Sequence, residues 1–290
     1  MPTFIFFGTG HFAEEVLKNL ISRGYKPAYV ITAPDKPVGR HQVITPPPVK
    51  CIADAENIPV IQPESLKNVS ILAELKAIIE KVDVCVVADY GKILPQALLD
   101  LCPLGFLNIH PSLLPLHRGP APLQATILAG DAHTGISIIK IDALMDHGPL
   151  VAVEKVLVPE FMWPCPVREL SDYMAKRSAQ LLSDILPDYV AGKLPGTEQN
   201  HEAATYTKMI EKKDGEVSWD DIVAGNLKDI YLKFCAYKEW PEVFFIHDGK
   251  RVKIKVMGYW EGTYAIERVT PEGKTEISWT DYIKHHKLEK

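Results

Sequence analysis

Asn108 and His110 stand two residues apart at the end of an apolar run, and Asp146 ends the next such stretch of the chain. If the run is a strand, alternation points both side chains to the same side. An amide N–H can donate to a developing oxyanion. A neutral imidazole can donate to the same oxygen or relay a proton. A carboxylate can hold the imidazole in one tautomer or position a water. These three side chain types need no serine or cysteine nucleophile. Ser112 lies close by, but no G-x-S-x-G turn surrounds it, so a nucleophile elbow is unsupported. The chemistry that fits is acyl transfer straight to an external nucleophile through a tetrahedral intermediate. The competing reading is that Asn and His after a strand are plain turn residues.

The elements that must position this trio follow from pattern. Residues 106–110 read as a strand, then comes a Ser-Leu-Leu-Pro loop, Arg118-Gly119-Pro120 and a helical segment from Ala121 to Ala129. A second strand, Gly135 to Ile141, carries the chain to Asp146. Upstream, TFIFF (residues 3–7) is a short apolar strand, followed by a helix with Phe12, Val16, Leu17, Leu20 and Ile21 on one face and a strand from Ala28 to Thr32. This βαβ start predicts a parallel sheet. Residues 83–88 are almost continuously apolar, as a strand covered on both faces requires. Leu150 to Val158 alternates like an edge strand, and Val167 to Tyr189 is a long amphipathic helix.

Composition is that of an ordinary globular enzyme: 290 residues, 47% apolar, 24% charged, net charge −5. The negative balance argues against a general nucleic-acid coat protein but leaves room for a local basic patch. There is no stretch of about 18 apolar residues that would span a membrane. The N-terminus lacks a secretory n-region and reads as a buried strand. Five scattered cysteines, none in a C-x-x-C pair, read as reduced core thiols of a cytoplasmic protein. We expect no metal site.

At its length the chain is expected to form two domains. Residues 191–204, polar and broken by Gly and Pro, are the candidate linker between an N-terminal domain over 1–190 and a smaller one over 205–290. In the second, Gly225 to Ala236 reads as a helix and short strands follow. His247-Asp248-Gly249-Lys250 reads as a hairpin turn centred on Asp-Gly. Lys250, Arg251, Lys253 and Lys255 cluster there, and residues 284–290 form a basic tail. A short antiparallel barrel or sheet is expected. Residues 33–48 form a long Pro-rich loop with Lys36, Arg40 and His41, read either as a solvated excursion or as an arm that meets an anionic partner.

Gly8, Gly10 and Ala13 match G-x-G-x-x-A after a strand, and Asp35 follows 22 residues after Ala13. That is the outline of a dinucleotide fingerprint. Against it, Asp35 sits in Ala-Pro-Asp-Lys-Pro, a turn-forming loop rather than a strand end. The alternative is a tight strand-to-helix turn.

The stretch NIHPSLLPLHRGPAPLQATILAGDAHTGISIIKIDALMDHGP closely resembles the core motif of the folate-dependent formyltransferases. The likeness covers nearly the whole chain. GTGHFAEEVL resembles the family's first turn and helix, and VVADYGKILP its folate-binding strand end. APDKPVGRHQVITPPPVK resembles the inserted loop of the members that act on initiator methionyl-tRNA. ATYTKMI, AYKEWPEVFF and VTPEGKTEISWTDYI resemble their C-terminal landmarks.

The resemblance implies an α/β fold, a Rossmann-like, mostly parallel sheet in the N-terminal domain with a smaller, shortened β-barrel-like C-terminal domain. It implies formyl transfer from 10-formyltetrahydrofolate to the α-amine of methionyl initiator tRNA, with Asn108, His110 and Asp146 as the catalytic trio. The pterin is expected against Val87, Ala88, Asp89, Tyr90, Gly91 and Leu94, enclosed by Ser112, Leu113, Leu114 and Pro115. Lys36, Arg40, Lys250, Arg251 and Lys253 are the expected tRNA contacts, on a protein acting as a monomer.

The sequence departs from the family pattern in three places. Gly10 replaces a more usual Pro, which creates the false dinucleotide fingerprint. Asp89 replaces a small apolar residue. The chain between Val256 and Val269 is shorter than the usual C-terminal barrel. Three other readings stand beside this one: a sugar-nucleotide N-formyltransferase, a catalytically silent RNA- or folate-binding module, and a nicotinamide dehydrogenase.

Overall fold

The structure, a computed structural model, describes residues 1–39 and 41–286. It contains two compact units. The first holds residues 1–122, 133–157 and 171–207, and the second holds 123–132, 158–170 and 208–290. The chain therefore passes between units several times, instead of crossing once at residues 191–204. That expected linker lies wholly in the first unit, where Gln199 is buried.

The first unit is built on strands β1 (Phe4–Gly8), β2 (Tyr29–Ile31), β3 (Lys36–Val38), β4 (Val43–Thr45), β5 (Val60–Ile61), β6 (Val84–Ala88), β7 (Phe106–His110), β8 (His133–Lys140) and β9 (Leu150–Leu157). Seven of these form one sheet in the order β5-β2-β1-β6-β7-β8-β9. β5, β2, β1, β6 and β7 are parallel, and β8 and β9 extend the sheet antiparallel. β1 and β6 are buried along their whole length, which is why both read as unbroken apolar runs. Helix α1 (His11–Ser22) buries Phe12, Val16, Leu17 and Leu20, the stripe its three-to-four spacing predicts.

From β1 the chain builds outward through β2 to β5, then returns to place β6 on the other side of β1 and β7 beyond it. Such a reversal opens a crevice outside the carboxyl ends of the strands. β7 delivers Asn108 and His110 to that end of the sheet. The Pro-rich loop is not structureless, because β3 and β4 pair within it as an antiparallel hairpin. Its apolar side chains Val38, Val43 and Ile44 are exposed.

In the second unit, strands β10 (Phe244–His247), β11 (Lys250–Trp260), β12 (Thr263–Pro271) and β13 (Ile277–Ser278) form an antiparallel sheet in sequence order. β10 and β13 are its two edges, so the expected barrel is an open sheet. β11 and β12 are longer than their sequence pattern suggested, because Glu261 and Gly262, both at positive φ, close a tight hairpin between them. The Asp248-Gly249 turn is as expected: both residues have positive φ, and His247 pairs with Lys250. Gly225 is not inside a helix. It takes a left-handed conformation and ends a short helix, Trp219–Ala224, before the next, Leu227–Tyr237. Phe245 forms the centre of this unit's core, with the rings of Trp219, Trp279 and Tyr282 around it.

Candidate active site

β7 pairs with β6 on one side and β8 on the other, and this register places Asn108 and His110 next to each other at the strand's end. The turn after β8 brings Asp146 to both of them. Asn108 Nδ2 donates to Asp146 Oδ1 at 3.1 Å. His110 Nδ1 lies 3.6 Å from Asp146 Oδ2, and the Gly119 N–H donates to that same oxygen at 2.7 Å. The trio expected from spacing alone is therefore one physical cluster. Asp146 takes a left-handed backbone conformation (φ +48°), which Asp tolerates better than most residues. Gly148 lets this turn press onto the sheet, since a Cβ there would lie 1.8 Å from the carbonyl oxygen of Lys140.

The proton positions follow from the partners. His110 Nε2 lies 2.9 Å from the carbonyl oxygen of His117, which can only accept. The tautomer that fits this contact has its proton on Nε2. The only proton of the neutral ring is then directed at His117, and Nδ1 faces Asp146. The ionised Asp146 carboxylate also accepts only, so Asn108 turns its nitrogen towards it. The second amide N–H of Asn108 remains available.

The loop after β7 is pinned from β8. Ser137 Oγ donates to the Ser112 carbonyl at 2.8 Å and accepts from Leu114 N at 3.0 Å. Ser112 is fully buried, with its hydroxyl donating to the Leu116 carbonyl at 2.7 Å. The side chains of Ser112, Leu114, Val87, Ala88 and Tyr90 are all buried. Tyr90 packs its ring edge-on against Phe7 in the core, and burial raises its phenol above the ordinary range. Of the expected pterin contacts, only Asp89, Gly91, Leu94, Leu113 and Pro115 reach the surface. The buried five are left with their backbone groups.

Asp89 ends β6 at positive φ, and its carbonyl accepts from Thr9 N at 3.0 Å. Protein closely surrounds its carboxyl while leaving it open to solvent on one side. That desolvation raises the group to about 6, and the neighbouring His11 only partly offsets it. A Cβ at position 10 would lie 2.0 Å from Asp89 Oδ2, so a larger residue there would require the Asp89 side chain to turn away. At this turn the Asp89 carboxylate occupies the space beside Gly10. Asp35 is engaged by two side chains. It accepts from Gln62 at 2.7 Å and from Lys50 at 2.8 Å, and both bonds lower its pKa.

The expected tRNA contacts belong to both units. Lys36 is exposed on the β3–β4 hairpin, and Arg40 lies outside the described residues. Lys250 is exposed, but the Arg251 guanidinium sits 4.0 Å from the centre of the Phe244 ring. Lys253 and Lys255 share the carboxylate of Glu242. That pairing lowers the carboxyl of Glu242 and neutralises part of the cluster, against the burial that opposes it. Two residues beside the trio were not singled out for a role from sequence. Arg118 is fully buried, and Gln199 belongs to the segment read as a linker. The sequence sign of Arg118 was its Arg-Gly pair between the Ser-Leu-Leu-Pro loop and the following helix, and Gln199 had none.

The model of the formyl transferase family matches residues 3–182 of this sequence. The chain belongs to the formyl transferase family. It is 41% identical over 252 residues to the methionyl-tRNA formyltransferase of Chloroflexus aggregans, covering 86% of this chain and 78% of that one. Its fold is that of a sugar N-formyltransferase from Shewanella (TM-score 0.65, 20% identity, 90% of this chain and 99% of the other). It is also that of HypX from Aquifex aeolicus in complex with tetrahydrofolic acid (TM-score 0.64, 13% identity, 98% of this chain and 47% of the other). Among the described residues no helix is long and apolar enough to cross a membrane.

Proposed function

We propose that this formyl transferase moves the formyl group of 10-formyltetrahydrofolate to the α-amine of methionine esterified to initiator tRNA, acting as a monomer. The observation that carries the reaction is the convergence of Asn108, His110 and the Gly119 N–H on one carboxylate, Asp146. The methionine relatives and the inserted hairpin with its exposed Lys36 support the acceptor.

In this reading the amine nitrogen attacks the formyl carbon, and the carbonyl electron pair moves to oxygen. The free N–H of Asn108 and Nδ1–H of the His110 imidazolium donate to that oxyanion. Preorganised donors of this kind are each worth about 3–4 kcal/mol of barrier. Asp146 stabilises the imidazolium and holds Asn108 in place. Collapse breaks the bond from carbon to N10 of the folate, which leaves with a proton, while the attacking amine gives one up. The folate reaches the crevice past Asp89, Gly91, Leu94, Leu113 and Pro115. The hairpin of the first unit and Lys250 of the second meet tRNA phosphates, and the trio lies in the first unit.

Formyl transfer from 10-formyltetrahydrofolate to charged initiator tRNA tests this, with an amino-sugar nucleotide run beside it. Product on the tRNA is expected. Product on the sugar alone would keep the trio and overturn the acceptor. No transfer to either acceptor would overturn the reading.

A further inference from the structure

We propose that Arg118 and Gln199 form a buried positioning clamp that sets the Asp146 carboxylate against Asn108 and His110. Neither residue touches the reacting atoms in the reading above, on which only the kinetic arm of the test below depends.

Arg118 is 1% exposed, and among the described residues its guanidinium donates to Gln199, His201 and Tyr206, with no carboxylate in contact. Nε and one terminal nitrogen donate to Gln199 Oε1 at 3.2 and 2.6 Å. That same terminal nitrogen donates to His201 Nδ1 at 2.8 Å, and the other donates to the Tyr206 hydroxyl at 3.2 Å. Burying a charge without a carboxylate partner is costly, and these neutral acceptors offset that cost only while they are held in place.

Gln199 transmits the constraint. Its Nε2 donates to the Asp146 carbonyl at 2.9 Å and to the Gly148 carbonyl at 2.8 Å. Guanidinium groups only donate and carbonyls only accept, so the amide has a single possible orientation. The other side of the same loop holds the Asp146 side chain, because Gly119, the residue after Arg118, donates its N–H to Oδ2. Asp146 is thus gripped at its main chain through Gln199 and at its carboxylate through Gly119.

The gripping segment is itself fixed. Arg118 N donates to the Thr205 carbonyl at 2.9 Å, and Thr207 N donates to the Arg118 carbonyl at 2.7 Å. His201 accepts from Arg118 at Nδ1, so its ring proton is on Nε2. Its ring stacks 4.0 Å from that of His147, the residue after Asp146. A left-handed Asp whose carboxylate must sit within hydrogen-bond reach of one catalytic side chain and beside another needs such support from rigid neighbours.

Gln199→Glu separates the clamp from plain burial. The new carboxylate still accepts from Arg118, so the guanidinium keeps a partner, but it has no N–H for the Asp146 and Gly148 carbonyls. Two readouts follow, each on variants whose melting temperature stays near wild type. First, amide hydrogen exchange at Gly119 reports its bond to Asp146 without any substrate, and it should quicken about tenfold. Second, kcat for formyl transfer should fall about 10- to 100-fold, the range typical of supporting residues, with KM for folate and tRNA little changed. Gln199→Ala should do the same or worse, and Glu should not rescue it.

Unchanged exchange at Gly119 in folded Gln199→Glu would overturn the proposal. So would quickened exchange with kcat within twofold of wild type, or a loss carried by KM. If the wild-type protein transfers formyl to neither acceptor, the functional reading fails, while the exchange readout still decides whether the clamp exists.

Discussion

Asn108→Ala removes one half-buried amide and should nearly abolish turnover while the fold survives. Of its two N–H groups, one is committed to Asp146 Oδ1 at 3.1 Å, and the other is free for the oxyanion. Losing a preorganised oxyanion donor costs about 3–4 kcal/mol, which is roughly 10²–10³-fold in kcat. The stability cost is a single hydrogen bond at a partly exposed site, about 1 kcal/mol, or a few degrees in a domain of this size. Single-turnover transfer with saturating folate and tRNA isolates the chemical step, and thermal melts give the stability. Asn108→Asp keeps the shape but replaces the donor with an acceptor facing Asp146, so it should be at least as inactive. A fall of less than tenfold in the chemical step, or a loss confined to KM, would refute the oxyanion role of this residue.

Asp89→Asn tests the carboxyl that burial raises to about 6. A carboxyl raised in the folded state favours folding when protonated, and that advantage is lost as pH rises from about 4 through about 6. The variant should therefore melt higher than wild type at pH 7, with the difference shrinking as pH falls below about 4 in a series of thermal melts. Because the side chain keeps contact with water, the gain should be small. For the acceptor, Lys36→Ala and Lys250→Ala should each weaken tRNA binding and reduce the slope of its salt dependence by about one, the share of a single phosphate. Lys253→Ala should change that slope little, since its charge is already paired with Glu242. Filter binding across a salt series reads all three.

The local chain chemistry of this protein is written in its sequence. Apolar runs on both faces of β1 and β6, the stripe of α1, the Asp248-Gly249 turn and the alternation that puts Asn108 and His110 on one side are short-range consequences of residue type. So is the motif that carries the family resemblance. What sequence misjudged were features set by partners far along the chain. Residues 191–204 look like a linker because they are polar and broken. Gln199 is nonetheless buried there, because Arg118 and two carbonyls supply the hydrogen bonds a buried amide needs. Gly10 looks like part of a nucleotide loop, because nothing in sequence shows that Asp89 occupies the space beside it. Lys253 and Lys255 look like phosphate ligands until the fold brings Glu242 between them. The tautomer of His110 stays open in sequence until the His117 carbonyl meets Nε2. Residue type and spacing thus specify which side chains can do the chemistry and which elements carry them. The tautomer of His110 and the grip on Asp146 belong to the tertiary structure, because they depend on groups that meet only when the sheet and its loops close.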